Sequence, residues 1–376
     1  MVLSGRKLED FQRRLAAWYA AERRELPWRG TRDAYRVWLS EVMLQQTRVA
    51  AVVEYYERFV RRFPTVRALA RARSNEVMRL WAGLGYYSRA RNLHAAAKEI
   101  VRRHGGRFPR TYEKIRELPG IGDYTAAAIA SIAFDLPHAV LDGNVARVLA
   151  RLFMLRGDLR TPTRWKELQR MADGLLPGRN EVVKQALRSV QGKVTPGDWN
   201  QAMMELGATV CTPRAPRCDE CPVARHCAAR AAGMAEAIPA VRKKRATEQV
   251  RLAALVLLDA SRRVLLTRNE NPYFAGMWHF PFMEGAWRPA QMRSQLLAAC
   301  ARLGLATGGE QAVHLPAVRH TVTFRDISIE PVLLRVGDVP PSENGFRKMR
   351  LAQLDSAAVS SATRKIARVV AKHLGN

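Results

Sequence analysis

The apolar positions of the first 230 residues recur with the period of a helix. Leu8, Phe11, Leu15 and Trp18 fall on one face, as do Tyr35, Trp38, Leu39, Val42 and Met43. The same spacing predicts helices over 49–60, 75–82, 88–103, 124–133, 144–153 and 165–175. Pro27, Pro64, Gly83, Gly105, Gly106 and Pro109 punctuate them. No strand-like alternation and no solenoid-length repeat occurs in this part. After residue 250 the texture changes. Residues 252–258 and 264–267 read as two strands joined by a turn at 259–263, and 321–324 with 327–336 as a second pair. Helices are expected at 289–303 and 361–374. Between the two textures, 229–249 holds small residues, Pro239 and a basic run at 242–245, and reads as a connector. The expected fold is multi-domain: an all-α domain over 1–228, a linker at 229–249, and a separate α/β (α+β) domain over 250–376.

Composition adds two exclusions. Hydrophobic residues make up 48% and charged residues 26%, which excludes a disordered chain. No apolar run approaches the ~18 residues that span a bilayer, so a membrane protein is excluded too. The formal net charge of +28 is spread along the chain, with a surplus of 17 over residues 1–228 and of 11 over 229–376. A polyanion such as nucleic acid is the first reading, and a genomic bias toward arginine the plainer one. The opening MVLSGRKLED has neither a signal-peptide core nor a transit helix. A bacterial cytoplasmic protein working at the nucleoid, as a monomer, is expected.

Four of the five cysteines form one cluster, Cys211-x6-Cys218-x2-Cys221-x5-Cys227, and the fifth is Cys300. Four thiolates on one short loop suit a [4Fe–4S] cluster or a tetrahedral zinc. Structural zinc usually pairs two C-x2-C knuckles across a longer gap, and one such knuckle is present, which favours iron–sulfur. His226 stands next to Cys227, where adjacent residues do not readily share one site.

Residues 115–133 read IRELPGIGDYTAAAIASIA. Gly120 and Gly122 allow a tight turn with the backbone close to a ligand. The amides at the start of the following helix can hold a phosphate. This is the logic of a helix–hairpin–helix over about 111–133 that grips DNA backbone without reading sequence. About twenty residues on, Asp142 follows an apolar run and precedes a helix. It is an N-cap, or a carboxylate kept ionised by helix amides and suited to a developing cation, or both. Glu41 has Val37 and Trp38 at i−4 and i−3. It lies on an exposed stripe, or it is buried with a raised pKa and serves as a proton donor. One protonated and one ionised carboxyl suit cleavage of a glycosidic bond through an oxocarbenium-like state.

LPWR (26–29), SEVMLQQT (40–47), GLGYYSRARNL (83–93), LPGIGDYTAAAIASIAF (118–134), LDGNVARVLAR (141–151) and the four-cysteine loop together resemble the adenine DNA glycosylases of the MutY type. These belong to the helix–hairpin–helix glycosylase superfamily. The resemblance implies a [4Fe–4S] cluster on Cys211, Cys218, Cys221 and Cys227. It also implies double-stranded DNA with an A:8-oxoguanine or A:G mispair as partner, from which adenine is excised after flipping. It makes Glu41 the acid that protonates adenine, Asp142 the stabiliser of the sugar cation and Tyr124 an orienting hydroxyl. Leu26, Trp28, Arg29 and Gln201 would line the adenine pocket, and Gln46 and Tyr86 would wedge into the base stack. The related endonuclease III branch carries a nucleophilic lysine where Tyr124 stands, so a glycosylase without lyase activity is implied. The rivals are a glycosylase/lyase and a non-enzymatic iron–sulfur DNA-binding protein. Residues 250–376 resemble the family's C-terminal domain, related to the Nudix fold but here without a Nudix box. In relatives a Phe-Ser-His stretch of a loop contacts 8-oxoguanine. Val318-Arg319-His320 stands at that place: His320 is the remaining lesion contact or a polar residue at a strand start, and Arg319 is an alternative contact to phosphate or lesion.

Overall fold

The computed structural model describes residues 3–177, 194–240, 246–268, 273–274, 277–284, 301, 312–339, 341–342, 345–355 and 357–375. Cys300, most of the expected helix at 289–303 and the basic run at 242–245 lie outside them. The chain divides into two compact units. One holds Met1–Arg71 and Asn92–Lys243, the other Ala72–Arg91 and Lys244–Asn376. The segment 72–91, which the sequence reading kept within the helical domain, thus counts with the second unit.

The helices run in chain order α1 (Gly5–Glu22), α2 (Ala34–Leu44), α3 (Val49–Arg62), α4 (Val66–Arg71), α5 (Ser74–Trp81), α6 (Ser88–His104), α7 (Tyr112–Arg116), α8 (Asp123–Phe134), α9 (Gly143–Leu152), α10 (Pro162–Leu175), α11 (Pro196–Thr209), the short α12 (Ala228–Ala231) and α13 (Ser361–His373). Their starts are written locally. Asp33, Thr111, Asp142, Thr161 and Thr195 each accept a backbone N–H of the first turn with the side chain. Pro162 and Pro196 occupy the first helical position, where a missing N–H costs nothing. Among the described residues no helix is long and apolar enough to cross a membrane.

In the first unit Phe11, Leu15, Leu149, Leu168, Trp199 and Leu206 share one buried core. The alanine-rich α8 is buried from Thr125 to Ser131, so neighbours come close from several sides. Its meeting with α11 depends on Gly197. A Cβ there would stand 2.8 Å from the Ile132 Cα and from the Ser131 carbonyl oxygen. Only glycine permits the two backbones to touch in this way.

The second unit is built on a sheet in the order β4 (Val313–His314), β6 (Arg325–Arg335), β1 (Glu248–Leu258), β2 (Arg263–Thr267), β7 (Phe346–Arg350). In addition β3 (Phe282–Glu284) pairs with β1 and β5 (Val318–Val322) with β6. β1 and β2 form the expected hairpin, while β1 and β6 run parallel along eleven positions. β1 lies centrally and is buried on both sides, which explains its unbroken apolar run. Leu252, Ala254, Val256 and Leu258 face the core covered by Ile366, Ala367 and Val370 of α13. Ala253, Leu255 and Leu257 face a smaller core with Val332 and Val339. The second expected strand pair starts earlier than the sequence suggests. The turn falls at Thr323 and Phe324, with Thr323 in the left-handed region at φ 55°. Residues 318–320, expected on a loop or at a strand start, are therefore strand, because their backbones complete the ladder with β6.

Candidate active site

Glu41 sits on α2 and is only 7% exposed, so the buried alternative holds and the exposed stripe does not. Burial pushes its carboxyl up to about 7. The Tyr124 hydrogen bond and the Arg29 charge pull downward, and the charge of Asp142 pushes further up. A carboxyl in that range keeps a substantial protonated fraction near neutrality, about half at pH 7, and can give a proton away.

Tyr124 stands in the first turn of α8 and donates its hydroxyl to Glu41 Oε2 at 2.6 Å. The Tyr124 hydroxyl oxygen also lies 3.1 Å from Met204 Sδ on α11. Burial, then the charges of Glu41 and Asp142, hold the phenol well above its ordinary pKa, so it remains a donor.

Asp142 is the N-cap of α9. Its Oδ1 accepts from the amides of Asn144 (2.9 Å) and Val145 (2.8 Å), and its Oδ2 from Asn144 Nδ2 (3.0 Å). The N-cap reading holds, and the helix amides do favour the ionised carboxyl as expected. Burial raises its pKa, and the amides and Arg147 only oppose that rise. Desolvation is not a defect here. A carboxylate stripped of water attracts a nearby cation more strongly than a solvated one.

One helix arranges these parts. Asn200 of α11 is buried; its Oδ1 accepts from the Val140 amide at 3.1 Å, and its Nδ2 donates to Ser131 Oγ and the His138 carbonyl, both at 2.8 Å. That clip holds the extended segment delivering Asp142. A Cβ on Gly207 would stand 2.7 Å from the Asn144 Cβ, so glycine lets α11 lie against the Asp142 cap. Glu205, 1% exposed, receives a fork from Arg24 (2.7 and 2.8 Å) and Arg29 Nη2 at 2.5 Å. Burial alone would raise the Glu205 pKa, but the guanidiniums outweigh it and hold the carboxyl below its usual range. Gln201, Met204 and Glu205, at i, i+3 and i+4, share a helix face.

Asn200, Met204 and Glu205 were not singled out by the sequence reading. Glu205 carried only a weaker form of the Glu41 signal, with apolar Ala202 at i−3 but polar Gln201 at i−4. Asn200 and Met204 carried none, since their partners are 60 to 80 residues away.

The remaining expected residues are placed as follows. Trp28 is buried edge-on against Tyr56 with ring centres 5.3 Å apart, and half-buried Leu26 accepts the Arg29 amide. Gln201 donates to the Gly197 carbonyl at 3.3 Å. Gly120, at φ +74°, makes the hairpin turn against Asn92, whose Cβ stands 2.5 Å from where a glycine substituent would lie. Gly122 caps α8. Gln46 is exposed at φ 56° in the first unit. Tyr86 is 42% exposed at φ 46° in the second. A non-glycine residue held left-handed is strained, and strain of this kind gathers at functional positions. Arg89 supports the Tyr86 loop by donating to the carbonyls of Leu84 and Gly85. His320, on β5, stacks on Phe274 at 5.7 Å, and burial lowers its pKa.

The cysteine loop follows α11. Cys211, Cys218, Cys221 and Cys227 are free thiols, each partly buried. Burial pushes Cys221 up to about 12, with the charges of the other three adding to the rise, so the sulfurs lie near one another. Among the described residues no three His, Cys, Asp or Glu side chains converge as a single ion requires. His226 turns away to Asp10 Oδ2 at 2.9 Å. Two arginines of α9 brace the loop. Arg147 donates to the carbonyls of Cys211 (2.8 Å) and Gly207 (2.7 Å) and to Asn144 Oδ1 (2.9 Å). Arg151, 2% exposed, donates to the carbonyls of Thr212, Pro213 and Ile238 and to Cys211 Sγ at 3.2 Å. Four thiols beside two cations fit a cluster that needs thiolates, and bound iron would supply the charge that keeps four thiolates together.

Comparisons with known proteins bear on this arrangement. Residues 39–172 match the model of the HhH-GPD superfamily base excision DNA repair protein, and 211–227 that of the iron–sulfur binding domain of endonuclease III. The chain is 35% identical over 422 residues to an adenine DNA glycosylase of Homo sapiens, covering 96% of this chain and 73% of that protein. It is 32% identical over 273 residues to one of Buchnera aphidicola, covering 72% and 73%. A solved thermostable thymine-DNA glycosylase superposes with a TM-score of 0.51 at 28% identity, covering 60% of this chain and 97% of that one.

Proposed function

The chain belongs to the adenine DNA glycosylase family, and from that premise we propose its mispair, its mechanism and the division of work between its units. It is a DNA N-glycosylase of base excision repair with a [4Fe–4S] cluster on the 211–227 loop. The proposed substrate is duplex DNA carrying adenine opposite 8-oxoguanine or guanine. Glu41 gives its proton to the flipped adenine, and the C–N bond breaks with its electron pair leaving on the base. The desolvated Asp142 faces the sugar cation that forms. Water adds at the anomeric carbon, its proton returns to the Glu41 carboxylate, and an abasic site remains. Tyr124 orients Glu41 throughout. Its phenol, bonded to a carboxylate, offers no amine for a Schiff base, which supports a glycosylase without lyase activity. The helical unit carries the excision. The sheet unit, with His320 on its aromatic stack, reads the opposite strand.

The observation that carries the reading is the meeting of Glu41, Tyr124 and Asp142, with the acid buried and the second carboxyl on a helix N-terminus. The test is single-turnover cleavage of one labelled duplex with adenine opposite 8-oxoguanine, analysed with and without hot alkali. Strand breaks only after alkali are expected. Breaks without alkali would mean that an amine acts as nucleophile. No breaks in either lane, with binding intact, would overturn the choice of mispair.

A further inference from the structure

We propose that Met204 is a positioning residue that accepts the Tyr124 hydroxyl proton while Glu41 holds the catalytic one. The inference rests on the acid role of Glu41 given above. Its geometric basis is a phenolic oxygen within hydrogen-bond reach of two acceptors, Glu41 Oε2 at 2.6 Å and Met204 Sδ at 3.1 Å, on different helices.

A phenol has one proton to donate. If Glu41 is a carboxylate, that proton belongs on Oε2, and the bond stabilises the charged form. That is the wrong state for an acid about to act. When Glu41 is protonated, its own O–H donates to the phenolic oxygen, and the Tyr124 proton must turn elsewhere. A thioether is a weak acceptor, yet in a site with little water it spares the hydroxyl from being left unsatisfied. Once the proton has passed to adenine, the Tyr124 O–H turns back to Oε2 and stabilises the new carboxylate. No bond of Met204 changes. The sulfur only makes the two orientations of one hydroxyl closer in energy.

The groups that face Glu41 from the surrounding elements are Tyr124 on α8, Asp142 at the start of α9 and Arg29 before α2, with Glu205 of α11 neutralising Arg29. Asp142 favours the protonated acid, and Tyr124 and Arg29 oppose it. Met204 touches Tyr124 rather than Glu41, carries no charge, and acts by drawing the Tyr124 proton away.

Met204→Leu keeps shape and removes the acceptor. The pH profile of single-turnover excision at saturating protein should then have its basic limb displaced to lower pH by about half a unit. The loss is about threefold above neutrality and shrinks as pH falls. In a Tyr124→Phe background the same substitution should leave the limb where Tyr124→Phe alone puts it, because there is no hydroxyl to share. A Met204→Leu profile that superposes on the wild type overturns the proposal. So does a displacement that persists without the Tyr124 hydroxyl, which would be packing. Glu41→Gln, measured alongside, separates the two levels. Excision retained in that variant removes the acid role itself, whatever Met204 does.

Discussion

In the helical unit, buried charge is neutralised across the chain. Glu205 meets Arg24 and Arg29 over more than 170 residues, and Glu41 meets Tyr124 over 83. In the sheet unit, buried Asp259 is met by Arg263 four residues away, inside one hairpin, and by Lys348 at 4.0 Å on the adjoining strand. There the Asp259 carboxyl is held below its usual range, because hydrogen bonds from Arg263 and its charge outweigh the burial that would raise it. Both units bury carboxyls, and only one leaves a carboxyl prone to keep its proton. Glu41 has a hydroxyl partner and a distant arginine, whereas Asp259 has a guanidinium at 2.8 Å. A buried acid becomes chemically useful when its neutralisation is left incomplete. The sheet unit's own candidate for recognition is of another kind, a histidine stacked among aromatic rings.

The widest gap between the units should open with Glu41→Gln. Single-turnover excision is expected to fall by roughly 10²–10⁴-fold while duplex binding, read by titration with a non-cleavable adenine analogue, stays intact. In the wild type the rate should decline as pH rises through about 7, where Glu41 loses its proton, approaching tenfold per unit. A flat profile would place the proton elsewhere.

Arg151→Met tests whether the cysteine loop depends on buried long-range bonds. It strands the carbonyls of Thr212, Pro213 and Ile238, so a loss of about 3 kcal/mol in unfolding free energy is expected, with iron content falling in parallel. Full iron and unchanged denaturant midpoint would show that the loop holds itself.

Asp259→Asn is the counterpart in the sheet unit. It should cost ~1–3 kcal/mol of stability by denaturant titration and leave the excision rate alone. A slowed chemical step would erase the distinction between the two networks. The smallest effect is expected for His320→Ala. The ratio of rates on adenine opposite 8-oxoguanine and opposite guanine should fall by a few fold, since one stacking partner is lost. An unchanged ratio would take His320 out of recognition.

Much of this was legible in the chain. The helical period is a local signal, and local signals survive in one dimension. So do the spacing of four cysteines and the apolar flank of Glu41. Residues 318–320 were legible only as a loop or a strand start, because pairing with a strand further along the chain, not their own composition, makes them extended. The direction of the Asp142 shift was not legible in the chain for a related reason. The amides at its helix start are visible in sequence, whereas the burial that outweighs them is built by other helices.

The sequence by itself marked the candidate side chains for the chemistry, the helical periods and the loop that gathers the thiols, because each depends on neighbours within a few residues. The tertiary structure alone decided that burial pushes the Glu41 carboxyl up to about 7 and that Asn200 holds the extended segment before Asp142. It also decided that Met204 lies beside the Tyr124 hydroxyl. Those outcomes depend on desolvation and on distances between helices, which a pattern of residues along a chain does not contain.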